Sequence, residues 1–148
     1  MAFDKPLGYL LGRTQRVYKN LMVIEFRKHK IELSFEQFVM MQMLNSDCTL
    51  IQQDVANQLQ KDKSIIVRQI NVLLERQYVV RLTNKDDKRK KNLSITKSGM
   101  DILNQMKEIA FSVSKKLLSG VTENEMDTFQ SVLMKIQENG CTEEEPFK

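Results

Sequence analysis

The sequence predicts a mainly α-helical chain carrying one small β-hairpin, and three observations predict it. The 148 residues include only 5 Gly and 2 Pro, too few breakers for an all-β fold with a turn every dozen residues. Apolar residues recur at three- and four-residue steps through most of the chain, which is the period of an amphipathic helix. Strand formers gather around a polar tip in one stretch only, near residues 78–96. The length suits one domain, and 41% apolar with 28% charged residues is the composition of a soluble globular chain.

Leu7, Leu10, Leu11, Thr14, Val17, Tyr18, Leu21 and Met22 share one face of a long helix over about 7–29, opposite Arg13, Arg16, Lys19 and Asn20. Ser34 and Gln37 have the spacing of a capping box, in which the hydroxyl accepts from the third helical N–H and the amide reaches back. They open a second helix with Phe35, Phe38, Val39, Met41 and Leu44 as candidates for burial, broken by Asn45-Ser-Asp-Cys48. Thr49 and Gln52 repeat the spacing and are expected to start a short helix over about 50–59, with Val55, Ala56 and Leu59 inward. Asp62 is placed to cap a helix from 63 to about 76. Ile66, Ile70, Leu73 and Leu74 form its buried stripe, leaving Lys63, Ser64, Val67, Arg68 and Asn71 on the outer side. Two short helices three or four residues apart, the second with a polar and basic outer face, describe a helix-turn-helix.

Tyr78–Thr83 and Asn92–Thr96 then read as strands. The segment between them, Asn84-Lys-Asp-Asp-Lys-Arg-Lys-Lys91, is too charged to pack, so the pair forms a hairpin with a basic tip, a wing. Thr96-Lys-Ser-Gly99 opens a long helix to about 118 with Ile102, Leu103, Met106, Ile109, Ala110, Val113 and Leu117 on one face, and Gly120 stops it. Thr122 and Glu125 make a third capping box for a last helix to about 138, carrying Met126, Phe129, Val132, Leu133 and Ile136. Residues 141–148 are expected to fray. The order describes a winged helix-turn-helix core flanked by long helices at both ends.

Several function classes find no support. His29 is the single histidine, and metal sites lean on imidazole ligands. It sits among Arg27, Lys28 and Lys30 as a solvated helix-end residue. Cys48 and Cys141 cannot build a disulfide framework, and neither lies in the electropositive setting a reactive thiol needs. No apolar run approaches the ~18 residues of a membrane span, and the N-terminus lacks signal-peptide character. A cytoplasmic location, no membrane and no cofactor are expected. With no Gly-rich phosphate loop, nucleophile elbow or Cys–His pair, the chain is expected not to be an enzyme.

The charge does point somewhere. Residues 61–91 hold ten basic side chains against four acidic ones, a local +6 in a chain whose net charge is +4. All the excess positive charge lies in about a fifth of the molecule, which reads as a polyanion-binding surface with nucleic acid as the polyanion. The flanking helices have apolar stripes broader than a small domain can cover, and a two-fold partner chain would cover them. A homodimer would also set two recognition helices ~34–36 Å apart, one turn of double-stranded DNA, and so match a palindromic operator.

The segments Leu73-Leu-Glu-Arg-Gln-Tyr-Val-Val-Arg81, Asp87-Lys-Arg89 and Leu93-Ser-Ile-Thr96-Lys-Ser-Gly99 resemble the MarR family of bacterial transcriptional regulators. That family's wing carries an Asp-x-Arg motif followed by Leu-Thr-x-x-Gly, and Asp87-Lys-Arg89 and Ile95-Thr-Lys-Ser-Gly99 hold those places. Asp54-Val-Ala56, Asp62-Lys-Ser64 with Arg68, and Leu7-Gly-Tyr-Leu-Leu11 resemble its first motif helix, recognition-helix start and dimerisation helix. Gln77 departs from the family in standing where a glycine usually closes the recognition helix, which calls for a non-Gly left-handed cap or another geometry. Ile65 and Val67 replace hydroxyl residues common on the reading face. The resemblance implies a single MarR-like domain over 1–148, with a DNA-binding lobe at 31–95 and dimerisation helices at 1–30 and 96–140. It further implies a repressor relieved by a small aromatic or phenolic effector.

Beside the resemblance stands a physical case. Lys63, Ser64 and Arg68 project from the first two turns of a helix that fits a major groove. Arg68 could fork onto a guanine edge or contact a phosphate, and Ile65 or Val67 could meet a thymine methyl. On the wing, Arg89 is the candidate for the minor groove, while Lys88 and Lys90, with Lys85 and Lys91, supply backbone electrostatics. Asp87 would be repelled by phosphates, so its role is to orient Arg89 or tie the wing through a salt bridge. The nine methionines read as adaptable core and dimer packing, with a pliable ligand pocket as the functional alternative. A second function class is a winged-helix interaction module whose basic wing docks an acidic protein, with Ile65 and Val67 as the apolar element.

Overall fold

The computed structural model describes residues 4–141, and the expected fraying beyond residue 141 lies outside them. Six helices and one hairpin follow in the order α1 (Leu7–Lys28), α2 (Phe35–Ser46), α3 (Gln52–Leu59), α4 (Lys63–Glu75), β1 (Val79–Thr83), β2 (Lys91–Ile95), α5 (Lys97–Leu117) and α6 (Glu123–Gly140). The fold is mainly α with a two-stranded antiparallel wing, as the sequence predicts. The strands pair in the register Val79 with Ile95 through Thr83 with Lys91. The chain divides into two compact units, residues 1–117 and 118–148.

In the first unit the core gathers side chains from every element. Met22 and Phe26 of α1 meet Phe38, Met41 and Leu44 of α2, Val55 of α3, and Ile66, Ile70 and Leu73 of α4. Val79 and Leu93 of the hairpin and Leu103 and Met106 of α5 complete it. Met22, Met40, Met41 and Met106 are all buried, where an unbranched side chain fills irregular gaps. On α5, Leu103, Met106, Ile109 and Val113 are buried, whereas Leu117, expected on the same face, is exposed.

The helix starts follow the local chemistry with one exception. Ser34 and Gln37 form the expected box, Ser34 Oγ accepting from Gln37 N at 3.1 Å and Gln37 Oε1 from Ser34 N at 2.8 Å. Thr49 does not cap α3. Its backbone N–H and hydroxyl both donate to Asp47 Oδ1, at 2.8 and 2.6 Å, and α3 begins at Gln52 with Asp54 accepting from Ile51 N at 2.9 Å. Tertiary structure is the reason: the Leu50 carbonyl accepts from Leu93 N at 2.8 Å, so Leu50 is held against the free edge of β2. A helix cannot start until that pairing ends.

In the second unit, Gly120 turns at φ +82, a conformation open to glycine at little cost. Thr122 then caps α6, accepting from Glu125 N at 3.2 Å, while the Glu125 carboxylate accepts from Thr122 N at 2.8 Å. No residue of α6 is buried, and Phe129 and Val132 stand exposed. Among the described residues no helix is long and apolar enough to cross a membrane.

Candidate nucleic-acid interface

Helix α4 is fastened at both ends. Asp62 Oδ1 accepts from Ser64 N at 2.7 Å and also from the Ser64 hydroxyl. The hydroxyl bond first, then the backbone bonds, hold the Asp62 carboxyl below its usual range. Ser64 therefore spends its donor on its own cap and keeps only acceptor capacity for a ligand. Lys63, Ser64, Ile65, Arg68 and Asn71 are exposed, and Val67 is half-buried, less outward than the helical wheel suggests. Behind the helix, buried Gln37 donates through Nε2 to Gln69 Oε1 at 2.9 Å, so the amide that caps α2 also grips α4. At the far end Arg76 pairs with Glu32 at 3.0 Å.

The exit from α4 explains the motif Ile95-Thr-Lys-Ser-Gly99. Gln77 takes φ +59, the non-Gly left-handed cap. Tyr78 N donates to Leu73 O at 3.0 Å and Gln77 N to Leu74 O at 2.9 Å, which is the Schellman pattern. The Gln77 carbonyl then accepts from Thr96 Oγ1 at 2.6 Å and Ser98 Oγ at 3.1 Å, and Thr96 N donates to Tyr78 O at 3.1 Å. Gly99 closes the joint, because a Cβ there would lie 2.1 Å from the Tyr78 carbonyl oxygen. The end of α4 and the start of α5 are thus one hydrogen-bonded unit.

At the wing tip Asn84 N donates to Lys90 O, and Lys90 N to Asp87 O, both at 3.0 Å. Asp87 Oδ1 accepts from the backbone N–H of Arg89 at 3.0 Å, and among the described residues Asp87 makes no ion pair. It orders the chain that carries Arg89 and leaves the guanidinium free. Lys88, Arg89 and Lys90 are exposed, whereas Lys91 donates to Thr83 Oγ1 at 2.7 Å.

Three polar links escaped the sequence reading: Gln37 with Gln69, Arg81 with Gln52 Oε1 at 3.3 Å, and buried Asn92 at the foot of the wing. The one signal for Asn92 was an amide in a strand that must pack on one face.

Within the same unit a cleft of 610 Å³ lies among α1, α2, α3 and α4, its lining including Arg16, Lys19, Phe35, Met40, Leu59 and Ile65. Lys19 pairs with Glu36 beside it. Burial pushes the Glu36 carboxyl up, but the hydrogen bond from Lys19 and further bonds from the backbone and Ser34 outweigh it and leave it below its usual range.

Against known proteins, the MarR family model matches residues 33–91. Among solved structures, apo wild-type MarR from E. coli superposes with TM-score 0.79 at 21% identity, covering 90% of this chain and 98% of that one. A MarR transcriptional regulator from Methanosarcina mazei Go1 gives TM-score 0.79 at 22% identity, covering 90% and 95%. A MarR family transcriptional regulator from Listeria monocytogenes, complexed with 26mer DNA, gives TM-score 0.78 at 24% identity, covering 91% and 89%.

Proposed function

We propose, for a chain whose residues 33–91 match the MarR family and whose fold is that of MarR transcriptional regulators, that it is a homodimeric, sequence-specific double-stranded DNA-binding repressor acting in the cytoplasm. The observation that carries this reading is the pairing of two uncommitted cationic elements in one unit: the Lys63–Arg68 face of α4 and the Lys88-Arg89-Lys90 tip of the wing. Lys63, Ser64, Ile65, Val67 and Arg68 read the major groove, Arg89 enters the minor groove, and Lys88 and Lys90 neutralise phosphates. Asp87 shapes the tip. The DNA complex of the Listeria neighbour supports the same use of the fold.

Dimerisation is supported by the apolar residues left exposed within each unit: Leu10, Val17 and Phe111 in the first, Phe129 and Val132 in the second. A two-fold pair would meet a palindromic operator. The cleft beside Lys19 and Glu36 suits a small aromatic effector, which relieves repression to the extent that it prefers one state of the dimer. Ile65 stands exposed between Lys63, Ser64 and Arg68, a setting that favours a DNA groove over the apolar hot spot an acidic protein partner would need.

The test is titration with genomic DNA fragments at several salt concentrations. A preferred, palindromic fragment and an affinity that falls steeply with salt are expected. Affinity that is flat across salt, or equal for all fragments, overturns the reading.

A further inference from the structure

Between the segment before α3 and the wing tip runs a continuous chain of hydrogen bonds whose side-chain links, Asn92, Asn84 and Asp87, are none of the proposed DNA contacts. It starts at the Thr49 carbonyl, in the turn that leads into α3, which accepts from Asn92 Nδ2. Asn92 Oδ1 accepts from Asn84 Nδ2 at 2.9 Å. Asn84 Oδ1 in turn accepts from the backbone N–H groups of Asp86 at 2.8 Å and Asp87 at 2.9 Å. The chain ends where Asp87 Oδ1 accepts from Arg89 N. Asn92 is 8% exposed, and both heteroatoms of its amide are used.

A two-stranded hairpin is marginal by itself and needs packing to hold its attitude. Here the wing's backbone link to the segment before α3 is the single bond from Leu93 N to Leu50 O, which fixes the edge of β2 but says nothing of the tip. Beside the exposed bond from Arg81 to Gln52, Asn92 adds a buried side-chain attachment, and Asn84 transmits it into the turn. We infer that Asn92 and Asn84 are positioning residues for the wing: together they hold the backbone of Arg89 at a set attitude to the recognition-helix lobe, so that the guanidinium meets the minor groove already ordered. This use of the relay rests on the DNA-binding reading, whereas the ordering of the tip does not.

The experiment uses the full-length protein and two substitutions, Asn92→Val, which removes the buried amide, and Asn84→Ala, which breaks the chain one step nearer the tip at a half-buried site that tolerates truncation. The first readout is amide hydrogen exchange without DNA. Exchange at Asp86, Asp87 and Arg89 should quicken by about tenfold in both variants, the scale of losing a buried hydrogen-bond partner, while amides of α5 keep their protection. Unchanged exchange at the tip overturns the relay, and should Asn92→Val fail to fold, Asn84→Ala decides it. The second readout is binding to a mixed-sequence DNA duplex in the presence and absence of Arg89→Ala. Each asparagine variant should weaken binding by itself and add little once Arg89 is gone; fully additive losses overturn the positioning role. A wild-type protein that binds no duplex defeats the DNA reading instead, and the exchange result still judges the relay.

Discussion

Gln77 holds a left-handed backbone at φ +59, a conformation that costs an L side chain about 1 kcal/mol relative to glycine. Its carbonyl makes the bonds to Thr96 and Ser98, so glycine would keep every contact. Gln77→Gly should therefore stabilise the fold by about 0.5–1 kcal/mol, seen as a higher urea midpoint with unchanged slope. Gly99→Ala acts in the opposite sense. The new methyl meets Tyr78 O at 2.1 Å and Ile95 Cγ2 at 2.8 Å, and backbone must move to admit it. A loss of about 1–3 kcal/mol is expected in the same titration, with a neutral result counting against the joint between α4 and α5. Among the described residues Arg89→Ala breaks no side-chain hydrogen bond or ion pair, so stability and oligomeric state should stay as they are while DNA affinity falls by about 1–3 kcal/mol. Equal affinity in a fluorescence-anisotropy titration would remove Arg89 from the groove.

At the scale of the element, α4 depends on a cap that titrates. The Asp62 carboxyl lies below its usual range in the folded chain because it accepts from Ser64. A depressed carboxylate contributes stability above its unfolded value of 3.8 and loses it as pH falls through the lower folded value. Asp62→Asn keeps a side-chain acceptor without the charge, so the variant should show a flatter fall in thermal midpoint below about pH 4 than the wild type. Parallel curves for the two proteins would mean that the cap does not contribute. Helix α3 shows the limit of local signals: the spacing of Thr49 and Gln52 is right for a box, yet Leu50 is drawn into pairing with β2 and the start moves to Gln52.

On the scale of the whole molecule, the exposed apolar residues are the decisive feature. Phe111 is 74% exposed, and Phe129 and Val132 stand out from a helix with no buried residue. Isolated exposed apolar residues are ordinary, but rows of them along helices mark association surfaces. Light scattering on a sizing column should give twice the 17.3 kDa of the chain, and Val132→Glu should shift it to monomer and weaken DNA binding together. A wild-type monomer at micromolar concentration would end the two-fold account of operator recognition.

Helical period and the run of strand formers place all six helices and the hairpin from the sequence, and capping pairs fix the starts of α2 and α6 but not of α3, because each of those signals is local. The cationic face of α4 and the wing tip were legible for the same reason: charge and period are written residue by residue. Other features came only with the third dimension. The start of α3 depends on a strand forty residues away, Asn92 works through the carbonyl of Thr49 and the amide of Asn84, and Gln37 serves two helices at once. A hydrogen bond between distant segments leaves no periodic trace in either, so the composition of the cationic surface lay in the chain order and its orientation lay in the packing.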